Sequence, residues 1–97
     1  MSTVRFGDFS WDSRKGATNL RKHGVAFDEA ATVFDDPRAI DAPDLYDAER
    51  FVLIGRSARD RILFVVHAVL AHEAIRIISA RRASRAQREA YEGEASS

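Results

Sequence analysis

The chain has 97 residues, of which 45% are hydrophobic and 31% are charged, and its formal net charge is zero. This size and balance are typical of one globular domain, so we treat residues 1–97 as a single domain with a modest core. The absence of cysteine excludes disulfide bonds and thiolate metal sites. The longest apolar stretch, Ile62 to Ala71, is too short to span a bilayer, and no signal-peptide pattern is present. We therefore expect a cytoplasmic protein with no membrane partner.

The N-terminal part of the sequence predicts one strand followed by two helices. Residues 4–11 alternate loosely and are rich in aromatic side chains, which predicts a short strand. Asp12 is suited to cap the helix that follows, and Gly24 is suited to end that helix in the left-handed conformation. Apolar side chains then recur with helical spacing and predict a second helix over Phe27–Phe34, which Pro37 ends.

The C-terminal part of the sequence predicts an antiparallel sheet and a last helix. Residues 35–49 are acidic and predict a loop with room for one short edge strand. Short polar breaks between the runs that follow favour antiparallel hairpins. The three β-rich runs are Phe51–Ser57, Arg61–Leu70 and Ala74–Arg81. Ser84 and Gln87 match a capping box at the start of the final helix, and we expect the tail over residues 92–97 to fray. The predicted fold is α+β, with helices packed on a mostly antiparallel sheet.

The charges are unevenly distributed along this neutral chain. Residues 28–49 carry eight acidic side chains and one basic side chain, whereas residues 50–91 carry nine basic and three acidic ones. Charges sorted in this way can present a positive face to an anionic partner such as RNA. The simpler interpretation is that each of these charges is separately solvated.

The predicted hairpins place particular side chains on each face of the sheet. If both hairpins close with two-residue loops, His67 lies opposite Arg76 on one neighbouring strand and opposite Val52 on the other. One face, which includes Phe64 and Val66, is nearly all apolar, and we expect the two N-terminal helices to cover it. The opposite face collects one histidine and five arginines around an apolar floor: His67, Arg50, Arg56, Arg61, Arg76 and Arg82.

A cationic face that carries a histidine has the groups that metal-free RNA cleavage requires. That reaction needs a base for the 2′-hydroxyl, positive charge for the phosphoryl oxygens and an acid for the leaving oxygen. The assignment depends on register, because a slip of one residue moves every side chain to the other face. His67 also has a simpler interpretation as a core histidine, and Arg76 as a shield for the sheet. The sequence has no metal-ligand spacing and no glycine-rich phosphate loop, so we expect no metal and no cofactor.

Several segments, in order along residues 9–92, resemble the BrnT family of bacterial toxins. No single segment is decisive, but their ordered succession covers nearly the whole chain. The segments that carry the resemblance include Phe9–Asp12, Lys22–Phe27, Val33–Pro37, Arg61–His67 and Arg76–Ala83.

The resemblance implies a RelE-like fold and the activity of a metal-independent endoribonuclease that inhibits translation. It also implies a partner, a BrnA-type antitoxin with a ribbon-helix-helix domain, and contact with operator DNA only through the toxin–antitoxin complex. On the positions that match the family, we expect His67, Arg76 and Arg81 to be catalytic. Of the residues expected to bind RNA, Lys22, His23 and Ser79 also match the family, whereas Arg50, Arg56, Arg61 and Arg82 come from the predicted cationic face of the sheet.

A second hypothesis is a binding module that uses the same positive face. Such a protein would grip RNA or its antitoxin without cutting RNA, and it would act mainly in repression of its own operon. An inactivated toxin would have almost the same sequence as an active one, so the sequence alone leaves both hypotheses open.

Overall fold

The computed structural model describes residues 2–96, with side chains described through residue 93. Its elements, in chain order, are β1 (Thr3–Phe6), β2 (Phe9–Asp12), α1 (Ser13–His23), α2 (Phe27–Thr32), β3 (Ile40–Pro43), β4 (Phe51–Arg56), β5 (Ile62–Val69), β6 (Ile75–Arg82) and α3 (Arg85–Ser96). The strands form one sheet in the order β1-β2-β6-β5-β4-β3. Every neighbouring pair is antiparallel except β2 with β6. The predicted α+β fold with a mostly antiparallel sheet is therefore confirmed.

The N-terminal segment forms a hairpin where one strand was predicted. Gly7 has a φ of 61°, a conformation that glycine adopts without strain, and the chain turns there so that Phe6 pairs with Phe9. β2 then pairs with β6 through two residues, Phe9 opposite Ile75 and Ser10 opposite Arg76. Because this pairing is so short, the remainder of β6 has no strand beside it on that edge among residues 2–96.

The predicted ends of α1 are confirmed. The carboxylate of Asp12 accepts hydrogen bonds from the backbone N–H groups of Arg14 (2.9 Å) and Lys15 (3.2 Å). Gly24 follows the helix with a φ of 70° and donates its N–H to the carbonyl of Leu20. α2 is shorter than predicted because the chain tightens into a 3₁₀ turn at Val33–Asp35.

The hydrophobic core lies between α1, α2 and one face of the sheet. The sheet contributes Leu53, Leu63, Val65, Ile77 and Ala80, and the N-terminal region covers them. The covering residues are Trp11, Val25, Phe27, Ala30, Ala31 and Val33. We call the opposite side of the sheet the open face.

A longer turn than predicted shifts the register of β4 with β5. The hairpin closes through three residues, and the N–H of Ser57 donates to the carbonyl of Arg61 at 2.8 Å. Asp60 takes the left-handed conformation with a φ of 64°, as three-residue hairpin loops require. Arg56 therefore pairs with Ile62, and His67 pairs with Phe51 where Val52 was predicted.

The register of β5 with β6 also differs from the prediction. The turn spans three residues, Ala71–Glu73, and a bulge interrupts the ladder between Val66 and His67. Ile77 lies opposite His67, and Ala68 lies opposite Arg76, so the predicted pairing of His67 with Arg76 is wrong. These two shifts invert the faces of β5, as a one-residue slip must.

Among the described side chains, α3 is attached through its first turn and one buried residue. The predicted capping box is confirmed: the N–H of Ser84 donates to Oε1 of Gln87, and the N–H of Gln87 donates to Oγ of Ser84. Tyr91 is buried, and its hydroxyl donates to Oδ2 of Asp36 at 2.7 Å. The helix continues to Ser96, residue 97 lies outside the described residues, and the fraying of residues 92–97 stays a prediction. Over residues 2–96, no helix combines the length and the hydropathy that a membrane-spanning segment needs.

A buried ion pair joins α2 to the β4–β5 turn. Glu29 is only 6% exposed, and its carboxylate accepts hydrogen bonds from Nε and Nη2 of Arg61. The Ser57 hydroxyl donates to the same carboxylate at 2.7 Å, and Nη2 of Arg61 also donates to the carbonyl of Gly24. The bond from Arg61 lowers the pKa of Glu29, which favours the charged carboxylate in the fold.

Candidate functional site

The side chain of Asn19 on α1 completes the edge of β6 that β2 leaves without a strand partner. Its Nδ2 donates to the carbonyl of Ala80 at 2.7 Å, and its Oδ1 accepts from the N–H of Ala80 at 3.1 Å. Nδ2 also donates to the carbonyl of Val25 at 2.9 Å. The amide therefore acts as a strand partner for one residue, and it fixes α1 beside β6.

We expect Asn19→Ala to lower the free energy of unfolding by about 1–3 kcal/mol, because it leaves buried backbone groups of Ala80 without partners. Urea unfolding followed by circular dichroism would measure the change. Thr18→Ala, one residue away and exposed, is the control. Equal midpoints for the two variants would show that the amide does not hold α1 against the strand.

A groove lies where α1 runs beside β6, and we call it the α1–β6 groove. Its volume is about 290 Å³. The residues that line it are Arg14, Lys15, Thr18, Asn19, Lys22, His23, Ile78 and Ser79. The six helical residues form two adjacent rows, in each of which successive residues are four positions apart, so they share one face of α1. The rows are 14, 18, 22 and 15, 19, 23. Three cations, one histidine and two hydroxyl groups thus meet in one place, and the lining residues include neither aspartate nor glutamate.

Three of the residues that we predicted to bind RNA lie together in this groove: Lys22, His23 and Ser79. Two that we predicted to be catalytic, Arg76 and Arg81, lie on the open face of the same strand. They share a face although they are five residues apart, because the ladder is irregular between Ile77 and Ser79. Arg81 follows Ser79 by two residues on that face, a separation of about 7 Å along a strand. Its guanidinium carbon lies 4.1 Å from the ring centre of Phe64, and its Nη1 donates to two neutral oxygens, the carbonyl of Arg82 and Oε1 of Gln87.

His67 lies in the protein core, and its predicted position on an exposed cationic face is wrong. The residue is 4% exposed, and its ring packs edge-on against Phe34 with centroids 4.8 Å apart and near Phe51 at 6.1 Å. Its Nδ1 has no hydrogen-bond partner among the described residues. Burial lowers the pKa of His67 below its ordinary value of 6.5. A direct role of His67 in catalysis stays a prediction that this burial does not favour.

This buried neutral histidine predicts a loss of stability in mild acid. The unfolded chain binds a proton at His67 near pH 6.5, whereas the folded chain resists it, so the free energy of unfolding falls as pH drops below that value. The expected slope from this one group approaches about 1.4 kcal/mol per pH unit. Thermal unfolding measured at several pH values between 7.5 and 5 would give this dependence of stability on pH. His67→Phe should remove the part of the slope that comes from His67. The same slope in both proteins would contradict a neutral His67.

The remaining arginines do not form the single cationic face that we predicted. Arg61 is bonded to Glu29 on the helix-covered side, Arg56 pairs with Asp60 at 2.8 Å, and Arg50 pairs with Asp47 at 3.3 Å. Arg82 lies apart from the α1–β6 groove, in a depression at the end of the sheet that Arg56, Arg61 and Arg88 also line. RNA contacts by these four residues stay predictions, but their grouping on one face around His67 is wrong.

Two cations of the α1–β6 groove, Arg14 and Lys15, were missed as site residues. The signal was present in the sequence, since α1 carries four basic residues and a histidine but no acidic residue. Arg14 and Lys15 precede Lys22 and His23 by eight residues each, which places them on the same helix face. The structural role of Asn19 had no such signal, because it depends on the short pairing of β2 with β6.

This arrangement is suited to binding and reacting with a phosphate diester. Ammonium and guanidinium groups stabilise phosphoryl oxygens, and hydroxyl groups donate hydrogen bonds to them. Histidine is the side chain that exchanges protons most readily near neutral pH. Of the three histidines in the chain, His67 is buried and His72 lies in the turn between β5 and β6, so His23 is the one placed among the cations.

Comparisons with known proteins agree with this chemistry. The sequence model of a family described as "Ribonuclease toxin, BrnT, of type II toxin-antitoxin system" matches residues 11–87. Among solved structures, the chain is similar to the 1.1 Å crystal structure of the Brucella abortus ribonuclease toxin BrnT, with 31% identity and a TM-score of 0.64. The similarity covers 77% of this chain and 94% of the other. No curated protein sequence matches the chain. Residues 11–87 include every residue that lines the α1–β6 groove.

Proposed function

Because the chain belongs to the BrnT family of ribonuclease toxins of type II toxin–antitoxin systems, we propose that it cuts RNA in the α1–β6 groove and that this cleavage needs no metal ion. The observation that carries this proposal is the meeting of His23, Lys15 and Lys22 in one groove beside the hydroxyl of Ser79. Carboxylates, the usual protein ligands of Mg²⁺, are not among the lining residues, whereas three cations are. These cations supply the charge that a metal would otherwise provide.

In the proposed reaction the 2′-oxygen of RNA attacks the adjacent phosphorus, and the bond from phosphorus to the 5′-oxygen breaks. His23 in its neutral form accepts the proton of the 2′-hydroxyl. The ammonium groups of Lys15 and Lys22 stabilise the negative charge on the phosphoryl oxygens, and one of them donates a proton to the leaving 5′-oxygen. The products are a 2′,3′-cyclic phosphate and a free 5′-hydroxyl. Arg76 and Arg81 on the open face bind neighbouring phosphates.

Incubation of the purified chain with a labelled single-stranded RNA in excess EDTA tests the reaction. We expect cleavage to continue in EDTA, with cyclic phosphate ends, and we expect RNA affinity to fall steeply as salt is raised. Cleavage that stops in EDTA and returns with Mg²⁺ would contradict the metal-free reaction. RNA binding without any cleavage would instead favour the alternative, an inactive module that acts with its antitoxin in operon repression.

In the cell, we propose that cleavage inhibits translation in the cytoplasm until the antitoxin binds. Membership of a type II system implies a protein antitoxin, and we propose a BrnA-type ribbon-helix-helix protein that carries the complex to operator DNA. Induction of this chain alone should arrest growth and protein synthesis and degrade RNA. Induction together with the proposed ribbon-helix-helix antitoxin should restore all three. Arrest without loss of RNA would contradict the ribonuclease assignment.

A further inference from the structure

A second groove lies on the open face, on the side of Arg81 away from the α1–β6 groove. Its volume is about 420 Å³, and its walls are mostly apolar. The apolar lining comes from β3, β4, β5 and the loop after β3: Ala42, Pro43, Leu45, Val52, Ile54 and Phe64. We call this the apolar groove. Arg81 and Gln87 border one side of it, and Asp44 and Tyr46 lie in the loop that borders the other.

The loop beside the apolar groove exposes large apolar side chains to solvent. Leu45 is 89% exposed and Tyr46 is 94% exposed, although both follow directly on the edge strand β3. Exposed apolar residues next to an apolar groove are typical of a surface that a protein partner covers. Tyrosine in particular contributes strongly to binding when a partner buries it.

The charges around this groove favour a protein partner over RNA. Asp44 lines the groove, and Asp47 and Glu49 follow in the same loop, so phosphates would meet negative charge there. At the other side, the guanidinium of Arg81 bonds to two neutral oxygens and can accept a carboxylate from a partner. A segment with apolar side chains in its middle, an acidic group toward Arg81 and a basic group toward Asp44 fits this pattern.

We propose that the apolar groove is the docking site of an apolar, acidic segment of the antitoxin. This inference rests on the proposed function for the identity of the partner. Arg81 lies between the two grooves, since it lines the apolar groove and follows Ser79 of the α1–β6 groove on the same face. A carboxylate of the bound segment pairs with Arg81 and takes it away from the phosphates of RNA. The antitoxin thereby neutralises the ribonuclease from beside its active site.

The test combines Leu45→Asp with Tyr46→Asp, because both side chains are exposed and neither belongs to the RNA site. The control combines Val69→Asp with Leu70→Asp, two exposed apolar residues at the far end of β5. The probe is the purified ribbon-helix-helix protein proposed above as the antitoxin, and its affinity for each variant is measured by titration calorimetry. RNA cleavage by each isolated variant is measured in parallel.

We expect the groove variant to lose at least tenfold in antitoxin affinity, to cleave RNA at the wild-type rate and to remain toxic when the antitoxin is co-induced. The control should bind the antitoxin and be neutralised as the wild type is. Wild-type antitoxin affinity in the groove variant would overturn the docking site. A loss of RNA cleavage in the groove variant with antitoxin affinity intact would assign the groove to RNA instead. A wild-type protein that binds the antitoxin but cuts no RNA would overturn the proposed function, while the affinities would still test the groove.

Discussion

Replacement of His23 by glutamine is expected to lower the rate of RNA cleavage by about 10²–10⁴-fold, the usual contribution of a general acid or base. Glutamine keeps a polar side chain in the α1–β6 groove but cannot accept and release a proton near neutral pH. Substrate binding should change little, because the cations of the groove remain in place. Single-turnover cleavage of a labelled RNA, with binding measured separately by fluorescence polarisation, would separate the two effects.

His72→Gln is the matched control for this experiment. His72 lies in the exposed turn between β5 and β6, and it is not among the residues that line the groove. We expect this variant to cleave RNA at the wild-type rate. If His23→Gln also keeps the wild-type rate, then His23 is not the proton-transfer group, and the mechanism proposed for the groove is wrong.

Replacement of Glu29 by alanine is expected to lower the free energy of unfolding by about 3–5 kcal/mol, the usual cost of breaking a buried ion pair from one side. The change leaves the guanidinium of Arg61 without its carboxylate, and it removes the acceptor of the Ser57 hydroxyl. Both groups lie in the contact between α2 and the β4–β5 turn. Guanidinium chloride unfolding followed by tryptophan fluorescence would measure the fall in the free energy of unfolding, since Trp11 lies in the hydrophobic core.

The exposed pair of Arg85 with Glu89 gives the comparison for that result. Its side chains are mostly in solvent, so Glu89→Ala should cost no more than about 1 kcal/mol. Equal losses in the two variants would contradict a special role for the buried pair. Retention of wild-type stability by Glu29→Ala would show that Arg61 can leave the core and reach solvent, where it would be available to RNA as the sequence predicted.

The strands and helix ends followed from local patterns in the sequence. All three central strands were located within one residue at each end, because alternation and polar breaks are local signals. The caps at Asp12, Gly24 and Ser84 followed from residue types that the terminal backbone groups require. The N-terminal hairpin was missed because its turn at Gly7 and Asp8 lies inside a run of residues that reads as one strand.

Register could not be predicted in the same way. Asp60, His72 and Glu73 adopt positive φ in the two turns, although none of them is a glycine. Without a glycine or asparagine to mark the left-handed position, the sequence favoured two-residue loops where three-residue loops occur. The bulge in the β5–β6 ladder had no sequence signal either. These features decide the face of every side chain on β5, and they bury His67.

The candidate site was predicted in part for the same reason. Lys22, His23 and Ser79 came from the resemblance to a known family, which does not depend on register. The cationic face around His67 came from register and was wrong. Arg14 and Lys15 could have been predicted as site residues from the sequence alone. The helix has no acidic residue, and the spacing of its cations keeps them on one face.

Cleavage of RNA in the α1–β6 groove can be tested by one comparison of purified proteins. Lys15→Ala with Lys22→Ala removes two cations from the groove, whereas Arg21→Ala with Arg38→Ala removes the same charge from exposed positions that do not line it. We expect kcat/KM for RNA cleavage to fall at least about 100-fold in the first protein, since two charge-assisted phosphate contacts are lost, and to change only a few-fold in the second. Equal losses in the two proteins would contradict cleavage in this groove, because the reaction would then depend on the overall charge of the protein.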